Sequence, residues 1–205
     1  MLCYIVVGMK SLHDMVLPVI NDAGAGNKIV EVSELWGASK ALFLFGLRKE
    51  SNRPVIIVTA TEDSAGALIE DLAFFVQKMP HDAQGEGAIE IRMFPSWGVL
   101  PFEADSPDSR TVGERMRFLY CLISDSPGIY VVPAQALMQK LPPWELFADS
   151  VKTITPASRI EPDDLAASLV ATGYEPASLV TRVGEFSRRG GIIDFFSPLH
   201  DNPVR

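Results

Sequence analysis

The segment around Lys40 carries part of the pattern that a nucleotide-binding loop needs. Such a loop reads Gly-x4-Gly-Lys-[Ser/Thr]: the glycines let backbone N–H groups surround the phosphates, the lysine reaches the outer phosphates and the hydroxyl binds magnesium. The chain reads Glu34-Leu-Trp-Gly-Ala-Ser-Lys-Ala41 here, so Glu34 and Ser39 take the glycine positions and Ala41 takes the hydroxyl position. Gly37, Ser39 and Lys40 therefore predict a degenerate, inactive phosphate loop, and an ordinary helix start with a solvated lysine is the favoured interpretation.

Other residues that could do chemistry are isolated from one another. None of the histidines lies at metal-ligand spacing or beside a plausible nucleophile; they are His13, His81 and His200. Three carboxylates fall on a predicted helix face that is turned to water: Asp63, Glu70 and Asp71. The sequence predicts no catalytic group and no metal site.

Arginine, glycine and aromatic residues gather near the end of the chain, which reads Arg182-Val-Gly-Glu-Phe-Ser-Arg-Arg-Gly-Gly-Ile-Ile-Asp-Phe-Phe-Ser-Pro198. Two glycines after two arginines are typical of a tight hairpin. Arginine binds carboxylates and phosphates with two hydrogen bonds, so this segment could anchor an acidic partner. The alternative is solvated charge that balances Glu185 and Asp194, and composition alone does not separate the two.

The overall composition is that of a folded protein. The chain has 205 residues, 47% hydrophobic and 21% charged, with a net charge of −8. This acidic average argues against a surface that binds nucleic acid throughout, although DNA binding by a helix that carries Arg110, Arg115 and Arg117 stays a third, weaker hypothesis. Cys3 and Cys121 are too few for a disulfide framework. We expect a cytoplasmic protein with no targeting or membrane segment.

Alternating strands and helices predict a parallel sheet in the first part of the chain. The predicted strands are 54–59, 88–94 and 128–133, and the predicted helices are 34–49, 62–78 and 109–123, with Ser109 as the helix cap. Beyond a boundary near residue 150 we expect a strand at 151–155, a helix at 163–172, and strands at 177–183 and 191–196. The fold class is therefore α/β over residues 1–150, followed by a smaller, truncated α+β domain over 151–205.

The segment from Gly184 to Pro198, with Pro203-Val-Arg205 after it, resembles the G-E-[FY]-x-x-R-G-[GA]-[IL]-[IL]-D-[IVLF]-F-P…P-[YV]-R pattern of the bacterial transcription-repair coupling factors. A looser version occurs in the excinuclease B subunit. Two upstream segments are similar to further motifs of the family, in the same order: Phe94-Pro-Ser-Trp-Gly-Val-Leu-Pro-Phe-Glu103 and Val131-Val-Pro-Ala-Gln-Ala-Leu-Met-Gln139. The resemblance as a whole covers roughly residues 33–205.

The resemblance implies an N-terminal, excinuclease-B-like fragment of a large repair protein. Its first domain would be a helicase-like P-loop α/β domain that lacks nucleotide binding. Its second would be part of a docking domain for the excinuclease A subunit. Members of the family recruit that subunit to RNA polymerase stalled at DNA damage, in transcription-coupled nucleotide excision repair. The alternative is a helicase-type domain that still binds and hydrolyses ATP through Lys40.

The family motif also assigns the contact residues. Its two arginines fall on Arg189 and Arg205, and both are important for the contact with the excinuclease A subunit in the family. Arg188 and Phe186 are further candidates, although the family does not require a basic residue at the position of Arg188. The ATP- and magnesium-dependent motor, and the regions that contact polymerase and DNA, would lie beyond Arg205. The fragment itself would need no cofactor, and the C-terminal part of the parent chain would cover the docking surface in the resting state.

Overall fold

The computed structural model describes residues 16–21, 29–51, 53–78, 89–99 and 106–205. They belong to two compact units: one contains the chain up to Met93 together with 125–134, and the other contains 94–124 and 135–205. None of the helices in these described ranges is long and apolar enough to cross a membrane.

The first unit is a parallel sheet with helices packed on it. Its elements are α1 (16–21), α2 (Ser39–Ser51), β1 (Val55–Thr59), α3 (Glu62–Lys78), β2 (Glu90–Met93) and β3 (Gly128–Pro133). Within the described residues the strand order is β1–β3–β2, and both pairings are parallel. The predicted parallel sheet is confirmed.

The core of this unit lies between the sheet and the helices α2 and α3. Ala41 and Phe45 of α2 and Leu72 of α3 pack against Ile129 and Val131 of β3. Every residue of β3 is buried, which explains why the sequence of this central strand is a continuous apolar run.

The helix predicted to begin at Glu34 begins at Ser39 instead. Glu34 and Gly37 have φ angles of 63° and 54°, and such positive values cannot belong to a right-handed helix. The Ser39 hydroxyl donates to the carbonyl of Trp36 at 2.7 Å and so closes the turn. No strand leads into this turn within the described residues 29–36.

The second unit combines helices with a small mixed sheet. Its elements are α4 (Ser109–Ile123), α6 (Trp144–Ser150), α7 (Pro162–Ala171), β4 (Glu175–Pro176), β5 (Glu185–Arg189) and β6 (Ile192–Phe195); the short α5 (Ala134–Leu137) precedes α6. Among the described residues β4 pairs parallel with β5, and β5 pairs antiparallel with β6. The cap of α4 is Asp108, whose carboxylate accepts a hydrogen bond from the Arg110 backbone N–H. The predicted cap, Ser109, is therefore wrong by one residue.

Two predicted strands are absent from this described unit: 151–155 and 177–183 are irregular, and β5 occupies part of the predicted connection. For 177–183 the cause is Glu185, whose carboxylate accepts hydrogen bonds from the backbone N–H groups of Thr181 and Arg182 at 2.8 and 2.9 Å. These bonds fold residues 181–184 into a tight loop. The predicted hairpin turn at the glycine pair is confirmed, and Gly190 has a φ of +61° there.

Candidate functional site

The β5–β6 hairpin presents two faces with different surroundings. Directly paired residues of antiparallel strands lie on the same face, and faces alternate along each strand. The inner face carries Phe186 and Arg188 of β5, opposite Phe195 and Ile193 of β6. Phe186 and Ile193 form a buried cluster with Leu169 of α7. This face is therefore the core side of the hairpin.

The opposite face, which we call the outer face, carries the two arginines that the family motif singles out. It consists of Ser187, Arg189, Ile192 and Asp194 of the hairpin, together with Arg205. Arg205 joins it because Val204 pairs with Phe195, which places the next residue beside Asp194. Ile192 is 49% exposed, so the face combines cationic and apolar surface.

Arg205 is held on the outer face by a two-bonded ion pair. Its Nε and Nη2 donate to the Oδ1 and Oδ2 atoms of Asp194 at 2.7 and 3.1 Å. These hydrogen bonds, together with the charge, lower the pKa of Asp194 and raise the pKa of Arg205. The Arg205 side chain nevertheless stays 69% exposed, so most of its surface is available to a partner.

Arg189 is the outer-face arginine without an ion pair among the described residues. Its Nη2 donates to the backbone carbonyl of Ser178 at 3.2 Å, a neutral acceptor that also receives the Ser187 hydroxyl. The charge of Arg189 adds to the lowering of the Asp194 pKa. Arg189 is exposed and carries a cation that no described carboxylate neutralises by direct contact.

The structure places the other two candidate contact residues on the inner face. Arg188 forms an ion pair with Asp163 at the start of α7. Phe186 is only 5% exposed and belongs to the core, so its placement as a surface contact is corrected. The alternation of the strand separates both from Arg189, although all three lie within four residues of sequence.

The sequence did not predict that Arg115 is buried in a cluster of aromatic and polar groups. Arg115 is 0% exposed, and its Nη1 donates to the Pro95 carbonyl at 2.6 Å and to Oε1 of Gln139 at 3.0 Å. The guanidinium lies 4.0 Å from the ring centres of both Phe94 and Trp97. The two upstream family motifs therefore meet around this side chain. A glutamine and two aromatic residues that recur in ordered motifs were the available signal.

The surroundings of the three arginines of α4 argue against the hypothesis that this helix binds DNA. Arg115 is enclosed by protein, and burial lowers its pKa to about 10. Arg110 pairs with Glu114 on the same helix at 2.9 Å, and Arg117 pairs with Asp201 at 3.0 Å. The three arginines do not form a shared basic surface, and this interpretation is wrong for Arg115.

The segment predicted to be a degenerate phosphate loop lies in the first unit, in the turn at the start of α2. Gly37 occupies the turn, the Ser39 hydroxyl is used by the Trp36 carbonyl, and Lys40 is exposed in the first turn of the helix. The turn begins with Glu34, a carboxylate at the position where a phosphate loop has its first glycine.

Comparison with known proteins shows which proteins this chain is similar to. The sequence model of the UvrB interaction domain matches residues 146–205. The transcription-repair-coupling factor of Myxococcus xanthus is 33% identical over 91% of this chain, and that of Bacillus subtilis is 29% identical over 91%. The Staphylococcus aureus protein of the same name is 30% identical over 85% of the chain.

The chain matches only a small part of each relative. The chain spans 15% of the length of the Myxococcus and Bacillus proteins and 14% of the Staphylococcus protein. The matched region includes the hairpin, whose outer face carries the arginines of the family motif. Over most of its length the chain is therefore similar to transcription-repair-coupling factors, and its residues 146–205 match the UvrB interaction domain.

Proposed function

We propose that the chain is a non-catalytic docking module that binds the excinuclease A subunit through the outer face of the β5–β6 hairpin. The observation that carries the proposal is the pair of exposed arginines, Arg189 and Arg205, on one face beside the exposed Ile192. Arginine is one of the residue types enriched among the few side chains that carry most of the binding energy at protein interfaces. In the parent protein this contact would recruit the excision machinery to polymerase stalled at DNA damage.

The chemistry of the partner surface follows from the charges. The outer face holds two guanidinium groups and one carboxylate, and Asp194 uses both of its oxygens on Arg205. The uncompensated cation is Arg189, which favours a carboxylate on the partner. The net charge of the whole chain is −8, so the attraction must be local rather than a property of the whole surface.

The decisive experiment compares two adjacent arginines on opposite faces. Arg189→Ala should weaken binding to the purified excinuclease A subunit by about 2 kcal/mol, or roughly 30-fold, because it removes an interface anchor. Arg188→Ala is the matched control, since that side chain lies on the inner face and pairs with Asp163. Calorimetric titration measures both affinities. Equal affinities for Arg189→Ala and the unmodified chain would contradict the proposal, as would an equal loss for the control.

We also propose that the first unit does not hydrolyse nucleotides. The start of α2 supports this, because Glu34 brings negative charge to the loop and the Ser39 hydroxyl is already bonded to the Trp36 carbonyl. Addition of Mg-ATP should leave the melting temperature unchanged. A protein that binds ATP would be stabilised by mass action, so a rise of several degrees that Lys40→Ala abolishes would establish the alternative, ATP binding through Lys40.

The partners of the whole parent protein are a further part of the proposal. The docking surface would be covered by the C-terminal part of the parent chain in the resting state and released when polymerase is engaged. A longer chain that contains this part should then bind the excinuclease A subunit more weakly than the present chain does. Equal affinities would rule out such cover.

A further inference from the structure

Asp194 occupies the centre of the outer face. It lies opposite Ser187 on one side and is bonded through both oxygens to Arg205 on the other. Its side chain is 16% exposed, whereas that of Arg205 is 69% exposed. The carboxylate is therefore largely covered, while the cation that it holds faces outward.

The ion pair leaves part of Arg205 unused. A guanidinium has N–H donors on all three nitrogens, and Asp194 takes the edge formed by Nε and Nη2. The Nη1 atom makes no hydrogen bond among the described residues. That donor, with the second N–H of Nη2, forms an end-on edge that can receive a carboxylate from outside.

A long arginine side chain normally loses much conformational freedom when it binds. Immobilising such a side chain at an interface costs a measurable part of the binding free energy. An arginine that is already fixed by two hydrogen bonds has lost this freedom during folding. The outer face thus contains one arginine held by a carboxylate, Arg205, and one held only by a backbone carbonyl, Arg189.

We propose that Asp194 is a positioning residue of the docking surface, which holds Arg205 so that its end-on edge receives a carboxylate of the partner. This inference rests on the proposed function and adds a residue to it. Asp194 then favours binding of an acidic partner although it is itself an acid.

Charge alone predicts the opposite change in affinity when Asp194 is neutralised. Asp194→Asn removes a negative charge from the outer face, so simple attraction would make an acidic partner bind more tightly. If positioning dominates, the same substitution weakens binding, because the asparagine NH2 group opposes a guanidinium N–H and the two-bonded pair is lost. The sign of the change therefore separates the two effects.

The experiment measures affinity for the purified excinuclease A subunit. Asp194→Asn is expected to weaken binding about fivefold. Asp194→Glu keeps the charge and can restore the ion pair through a longer side chain, so it should recover part of the affinity. In an Arg205→Ala background Asp194→Asn should cause no further loss of affinity, because Asp194 acts through Arg205 and only the removal of its negative charge, which favours an acidic partner, remains. A purely structural role would lower affinity equally in both backgrounds.

Each outcome decides the inference. Unchanged or tighter binding by Asp194→Asn overturns it, and so does an equal loss in the Arg205→Ala background. In either case a weakened Arg189→Ala variant leaves the proposed function standing. If Arg189→Ala and Arg205→Ala both bind like the unmodified chain, the proposed function fails and the inference fails with it.

Discussion

The arginines of α4 and those of the β5–β6 hairpin look alike in the sequence but differ in their surroundings. Arg115 is fully buried between Phe94 and Trp97, whereas the side chains of Arg189 and Arg205 are exposed. The difference teaches that the number and spacing of basic residues do not show whether they bind a partner. Burial and the nature of the nearest acceptor decide it.

The two regions also neutralise charge in different ways. Arg205 has a carboxylate on one edge, while Arg115 has a carbonyl, an amide oxygen and two aromatic faces as its described neighbours. Its Nε and Nη2 make no hydrogen bond with any residue that the structure describes. Burial removes the guanidinium from water and so disfavours the charged form, which lowers the pKa of Arg115 to about 10. Arg115 stabilises the fold by bonding to Pro95 and Gln139, whereas the arginines on the outer face of the hairpin remain exposed.

Removal of Arg115 should give the largest effect on stability. Arg115→Ala leaves a cavity between two aromatic rings and frees the Pro95 carbonyl and Gln139, so the free energy of unfolding should fall by about 3 kcal/mol. Urea unfolding followed by tryptophan fluorescence measures it. Arg110→Ala, at an 84% exposed side chain, is the control and should change the free energy by less than about 0.5 kcal/mol. Equal losses in the two variants would remove the distinction between the buried and the exposed arginine.

Replacement of Glu185 should have an intermediate effect on stability, and this effect should depend on pH. Hydrogen bonds from the backbone N–H groups of Thr181 and Arg182 lower the pKa of Glu185 from 4.5 to about 2. The folded state thus favours the ionised form, and this stabilisation is complete above about pH 4.5 and is lost as the pH falls through 2.

Glu185→Gln should therefore lower the melting temperature at pH 7, and its difference from the unmodified chain should shrink towards zero between pH 4.5 and 2. Thermal unfolding across this range measures the change. Glu114→Gln is the matched control, since that carboxylate is exposed on α4. A difference that stays constant with pH would show that the loop at 181–184 does not depend on the ionised carboxylate.

The smallest effect is expected for the exposed ion pair of α4. Arg117→Ala removes a contact with Asp201, whose side chain is 85% exposed, so the free energy of unfolding should fall by less than about 1 kcal/mol. The loss should decrease further at high salt because solvent ions screen exposed pairs. A loss as large as that of Arg115→Ala would mean that the two arginines of α4 share one role.

Regular patterns made much of the fold predictable. The helix Glu62–Lys78 and the strand Gly128–Pro133 have the predicted bounds, because an apolar stripe and a continuous apolar run each fit one kind of element. The strand predicted at 177–183 is wrong, because the Glu185 carboxylate binds backbone groups of that segment. Such a bond leaves no periodic trace in the sequence.

Some features of the candidate site could likewise be predicted from the sequence, and others could not. The family motif alone was enough to place Arg189 and Arg205 as candidate contacts, and the glycine pair alone predicted the hairpin turn. Only the tertiary structure put Phe186 in the core, paired Arg188 with Asp163 and enclosed Arg115. The physical reason is that sequence records residue type and local spacing, whereas exposure and charge pairing arise from segments that folding brings together from distant positions.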